Sequence, residues 1–137
     1  MRTFFDASAF VKRYVEEPGS QDVDEICQEA SELALSVICV PEIMSALNRR
    51  VREQILSLDQ YSAIKQYLSK DVQDAEIINL TPRVIASAIA LLEASPLRAM
   101  DALHVACALE WKAEVFVSAD QRQLAAAEKT GLNTKHI

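Results

Sequence analysis

The sequence predicts an α/β domain, a parallel β-sheet with helices on both faces. Short β-prone runs alternate with longer stretches of helical periodicity along the chain. One run, Leu33-Ala34-Leu35-Ser36-Val37-Ile38, is apolar but for Ser36, as a strand buried on both faces requires. No internal repeat, low-complexity segment or linker interrupts the pattern, and 137 residues favour a single domain spanning 1–137.

The elements follow in order. Thr3-Phe4-Phe5 reads as a first strand ending at Asp6. Residues 8–16 read as a helix, with Ala9, Phe10, Val11, Tyr14 and Val15 on its apolar face. Pro18-Gly19-Ser20 punctuates the chain, and Ser20 is a candidate cap for a second helix through about Ala30. The second strand is the 33–38 run. Pro41 suits the first turn of a third helix, which Ile43, Met44, Leu47 and Val51 continue at helical spacing. Ser57 or Asp59 starts a fourth helix to about Val72. A third strand is expected at 76–80, and Thr81-Pro82 opens a helix to about Ala94. Ser95-Pro96 ends it, and a sixth helix covers about Ala99 to Lys112. A fourth strand is expected at 114–117. Asp120 then opens a seventh helix that stops near Gly131, and 135–137 reads as a short edge strand.

Composition removes several classes of function. Only Gly19 and Gly131 are present, so neither a dinucleotide-binding fingerprint nor a phosphate-binding glycine loop exists. The Gly-x-Ser-x-Gly elbow is absent too. Cys27, Cys39 and Cys107 form no Cys-x-x-Cys pair and read as reduced, buried thiols. With only His104 and His136 beside them, a structural zinc site is not expected. The first residues do not read as a signal peptide, and no apolar run is long enough for a membrane span. The chain reads as soluble and cytoplasmic. Its net charge of −6 argues against nucleic-acid binding through bulk charge. It leaves room for a metal-dependent nuclease, which needs a local surplus of carboxylates. Lys12-Arg13 and Arg49-Arg50-x-Arg52 are small basic groups that suit a solvated helix face or a substrate contact equally.

The acids carry the functional signal. In open parallel sheets, ligands bind beyond the carboxyl ends of the strands. Asp6 follows strand one, Glu42 lies at the helix entry after strand two, and Asp120 follows strand four. Asp101, in the first turn of helix six, joins them only if that helix begins at the same edge. Each has a structural alternative. Asp120 is a natural N-cap, and Glu42 and Asp101 suit the positive end of a helix. Asp6 ends a hydrophobic strand, and a carboxylate at that depth needs donors or a cation. Gathered together, four acids need a counter-charge. Hard oxygen ligands suit Mg²⁺ or Mn²⁺, which activate water for attack at phosphorus. His104 sits on the same helical face as Asp101 and reads as a helix histidine bonding a neighbour, with contact to the site as the alternative. Trp111 and Phe116 read as core.

Four segments together resemble a known family. Phe5-Asp6-Ala7-Ser8-Ala9-Phe10-Val11-Lys12 with Glu16-Glu17-Pro18-Gly19-Ser20 is similar to the opening of PIN-domain proteins. Pro41-Glu42-Ile43-x-Ser45-Ala46-Leu47, Arg98-Ala99-Met100-Asp101-Ala102-Leu103-His104-Val105-Ala106, and Val117-Ser118-Ala119-Asp120-x-x-x-Leu124 resemble their later motifs, in order. The length fits the VapC-type toxins of toxin–antitoxin pairs. The resemblance implies a three-layer α/β/α sandwich with strand order 3-2-1-4-5. It also implies a Mg²⁺- or Mn²⁺-dependent endoribonuclease, a homodimer and a cognate antitoxin. It carries over Asp6 and Asp101 as metal ligands, with Glu42 and Asp120 completing the pocket and Ser8 and Ser118 lining it.

Two hypotheses compete. One is the metal-dependent ribonuclease. The other is a module that pairs with an antitoxin and binds RNA without cutting, with the Phe10, Val11, Tyr14 and Val15 face receiving a partner helix. A phosphoacceptor receiver domain fits the motif order poorly.

Overall fold

The structure, a computed structural model, describes all residues from Met1 to Ile137. Five strands form one sheet: β1 (Arg2–Phe5), β2 (Glu32–Ser36), β3 (Glu76–Ile78), β4 (Val115–Ser118) and β5 (Thr134–His136). Their order is β3-β2-β1-β4-β5, and every pairing is parallel. The expected sandwich and strand order are therefore present. Seven helices flank the sheet: α1 (Ala7–Phe10), α2 (Ser20–Glu29), α3 (Cys39–Arg52), α4 (Leu58–Asp74), α5 (Pro82–Ala94), α6 (Ala99–Trp111) and α7 (Gln121–Lys129).

The period-two alternation of the strands builds two cores. Phe4, Ala34 and Phe116 point to one face, where they meet Val84 and Leu91 of α5, Val105 of α6 and Leu124 of α7. Phe5, Leu35 and Val117 point to the other, against Phe10, Val23, Ile43, Leu47 and Leu68. The rings of Phe4 and Phe116 stack at 6.0 Å between centroids across β1 and β4. Trp111 and Phe116 are core residues, as the sequence predicts.

Several caps fall where the sequence places them. Ser57 makes a full capping box with Gln60 at the start of α4, and Thr81 caps α5 with Pro82 in its first turn. Gly131 takes φ +92° beyond the end of α7, a backbone that glycine adopts without strain.

Other expectations need correction. The helix expected over 8–16 is α-helical only through Phe10 and tightens into a 3₁₀ turn at Val11–Arg13. That turn directs Arg13 and Tyr14 onto Asp71 of α4. Phe10 and Val11 are buried in the chain's own core, and Tyr14 and Val15 pack against it, so this face is not open to a partner helix. Ser20 does not cap α2. Gly19, at φ +97°, holds the cap position, and the Ser20 hydroxyl accepts from the Glu17 N–H and donates to the Val15 carbonyl. The second strand stops at Ser36, because the Ser36 hydroxyl accepts the Ile38 N–H and turns the chain into α3 two residues before Pro41. All three cysteines are free, with Cys27 only partly buried. No helix is long and apolar enough to cross a membrane.

Candidate active site

Asp6 leaves the end of β1 and enters the first turn of α1. The register pairs Phe5 with Val117 of β4, so the next residues, Asp6 and Ser118, meet at the carboxyl edge of the sheet. The Asp6 side chain has no exposed surface. Its Oδ1 caps α1 by accepting the Ala9 N–H at 3.0 Å. Its Oδ2 accepts from the Ser118 hydroxyl at 2.8 Å and from Gln123 Nε2 at 2.8 Å, and Ser8 donates at 2.7 Å. The two serines are oriented by backbone. Ser8 Oγ accepts the Ala119 N–H and Ser118 Oγ accepts the Asp120 N–H, which leaves their protons for Asp6. Every hydrogen-bond donor to this carboxylate is thus uncharged. Burial raises its pKa above the ordinary value of 3.8, against the opposing pull of Ser8, the His104 charge, the Ala9 N–H and Ser118.

Asp101 stands in the first turn of α6, and the structure brings that turn to the same edge. Gln123 Nε2 reaches Asp101 Oδ1 at 3.2 Å while it holds Asp6, so one amide group bridges the two carboxylates. The Asp101 carboxyl is also raised, first by burial and then by the charges of Asp120 and Glu42, with Arg98 and His104 opposing. All four predicted acids therefore belong to one electrostatic neighbourhood.

Glu42 and Asp120 are otherwise engaged. Glu42, in the first turn of α3, bonds through Oε1 to Nε2 of His104, which projects from α6 and is buried. Asp120 caps α7, its Oδ1 accepting the Arg122 N–H at 2.8 Å and the Gln123 N–H at 3.3 Å. No three His, Cys, Asp or Glu side chains come together as a ready metal cage.

The donor chemistry nevertheless fits a hard divalent cation. Two carboxylates face each other across a neutral amide, and the buried one has no cationic hydrogen-bond partner. The unpartnered buried Nδ1 of His104 and Oε1 of Gln123 also lie among these residues, the sole buried side-chain polar atoms without a partner. Gln123 is the residue that sequence reasoning missed. Its signal was a glutamine on the inward face of a helix otherwise buried through Leu124, Ala126 and Ala127.

The PIN domain family model matches residues 3–129. This chain belongs to the PIN-domain family. Solved structures share the fold at low identity. The DNA-bound VapBC from Salmonella typhimurium superposes with a TM-score of 0.72 at 11% identity, covering 99% of this chain and 98% of that one. VapC20 of Mycobacterium tuberculosis, described as a sarcin-ricin loop cleaving toxin, gives 0.70 at 15% identity over 90% of this chain and 94% of that one. VapBC2 from Rickettsia felis, bound to a DNA fragment from its promoter, gives 0.70 at 14% identity over 100% and 99%. Among curated proteins none matches.

Proposed function

We propose that this PIN domain is a Mg²⁺- or Mn²⁺-dependent endoribonuclease, the toxin of a toxin–antitoxin pair acting in the cytoplasm. One observation carries the reading: a fully buried Asp6, served by neutral donors alone, faces Asp101 across a single amide group. The similarity to a toxin that cleaves the sarcin-ricin loop supports RNA as substrate.

Asp6 and Asp101 would hold the cation directly, with Glu42 and Asp120 completing the pocket through water. Bound there, the cation supplies a Lewis acid and an activated water for attack at phosphorus. Ser8, Ser118 and the Ala9 N–H fix the Asp6 carboxylate in place. His104 holds Glu42 at the rim. Arg98, exposed at the N-cap of α6, suits a phosphate of the RNA backbone.

The VapBC complexes among the structural neighbours support an antitoxin partner. A homodimer is supported by the α5 stripe of Ile85, Ile89 and Leu92, each at least 40% exposed at helical spacing. The test is direct. Antitoxin-free protein cleaves RNA with Mn²⁺ and loses cleavage in excess chelator or as Asp6→Asn. Full cleavage in either condition sinks the proposal.

A further inference from the structure

Gln123 is nine-tenths and more buried, with 3% of its surface exposed. Its Nε2 lies 2.8 Å from Asp6 Oδ2 and 3.2 Å from Asp101 Oδ1. The orientation of the amide is dictated by chemistry, since ionised carboxylates only accept and the amide's NH₂ end is its only donor. The opposite end is unserved, because Oε1 meets no donor within the protein. The two carboxylate bonds therefore hold the amide in place, and no hydrogen bond at its oxygen resists its departure.

The position matters as much as the bonding. The nitrogen occupies the point within reach of both carboxylates. Mg²⁺ sits at about 2.0–2.1 Å from its oxygen ligands, closer than a hydrogen-bonded nitrogen, so cation and amide cannot share that point. A lysine there would fill the gap permanently with full charge. A glutamine offers two partial charges and can leave.

We propose that Gln123 is a neutral stand-in for the cation: without metal its NH₂ group bridges Asp6 and Asp101, and a divalent ion entering the site displaces it. This rests on the metal reading above and makes Gln123 a positioning residue. It braces the metal-free site and is given up on loading.

The test compares wild type with Gln123→Met, and with Gln123→Glu as a second variant. Melting is followed in chelator and in saturating Mn²⁺, and Mn²⁺ binding is measured by calorimetry. In chelator both variants melt below wild type, by roughly 3–6 °C for Gln123→Met and by more for Gln123→Glu. Saturating Mn²⁺ closes most of each gap. Gln123→Met binds Mn²⁺ about threefold or more tighter than wild type, because no amide has to be displaced. A melting deficit that is the same with and without Mn²⁺, or weaker Mn²⁺ binding by Gln123→Met, overturns the stand-in role. If Gln123→Met does not fold, Gln123→Leu replaces it in both measurements with the same expected and overturning results, because the carboxylate of Gln123→Glu could tighten binding as an added ligand. Failure of wild type itself to bind Mn²⁺ overturns the metal reading first, and is distinguishable because it does not depend on the variants.

Discussion

Two aspartates in this chain are each surrounded by donors, and they are served in opposite ways. Asp71 on α4 faces Arg13, whose Nε donates to Oδ2 at 2.8 Å, and it accepts the Tyr14 hydroxyl at 2.6 Å. The carboxylate holds the guanidinium above its ordinary pKa, and burial with the same hydrogen bond raises the Tyr14 phenol. Asp71 has a resident counter-charge and a second donor, so the site is complete. Asp6 is more deeply buried, yet it receives two hydroxyls, an N–H and an amide, with no cationic donor. The first arrangement ties the 3₁₀ turn to α4. The second has no cationic donor in contact, which suits a cation supplied from outside the chain. The contrast supports a structural role for the Asp71 network and the proposed metal role for the Asp6 network.

Breaking each carboxylate should therefore have a different consequence. Asp6→Asn keeps the shape and removes the charge. It should lower metal-dependent RNA cleavage by roughly 100-fold or more, with the fold retained in chelator. Cleavage assays and calorimetric melts check both halves. Asp71→Ala should do the reverse. It leaves the part-buried Arg13 with Asp24 as its remaining carboxylate partner and the Tyr14 hydroxyl without its acceptor, and should destabilise the fold by about 2 kcal/mol, with cleavage per folded molecule unchanged below the melting range.

The pH dependence sharpens the same contrast. Burial holds Asp6 and Asp101 above the ordinary carboxylate pKa of 3.8 in the folded state. Such groups contribute stability that is full below the unfolded value and is lost as pH rises through the folded value. In chelator, denaturant midpoints should therefore fall, through these two groups, as pH rises above about 4. Asp6→Asn should flatten that fall. Ser118→Ala gives the smallest effect. It removes one donor from Asp6 and should change stability by about 1 kcal/mol, measurable as a shift in melting temperature.

Much of this was legible in the sequence, for local reasons. Ser57, Thr81-Pro82 and Asp120 announce helix starts through chemistry confined to a single turn. The paired Phe4-Phe5 alternation fixes two faces of the sheet. What was not legible depends on tertiary distance. The pairing of Glu42 with His104 joins residues 62 apart in the chain. Gln123 meets Asp6 across 117 residues, and no local pattern announces that a core-facing glutamine will bridge two acids. The early end of α1 has the same cause, since Arg13 and Tyr14 turn toward Asp71 nearly 60 residues on. Sequence placed Asp6, Glu42 and Asp120 at one edge and left Asp101 conditional on where α6 begins; the fold brings Asp101 there, and tertiary contacts engage Glu42 with His104 and Asp120 with the α7 N–H groups.

The central claim is that Asp6 lacks the cationic hydrogen-bond donor that Asp71 already has. Calorimetric titration of Mn²⁺ into wild type, Asp6→Asn and Asp71→Asn tests it most directly. The account predicts saturable binding to wild type, near-equal affinity in Asp71→Asn, and loss of binding in Asp6→Asn. Undiminished binding by Asp6→Asn would contradict it.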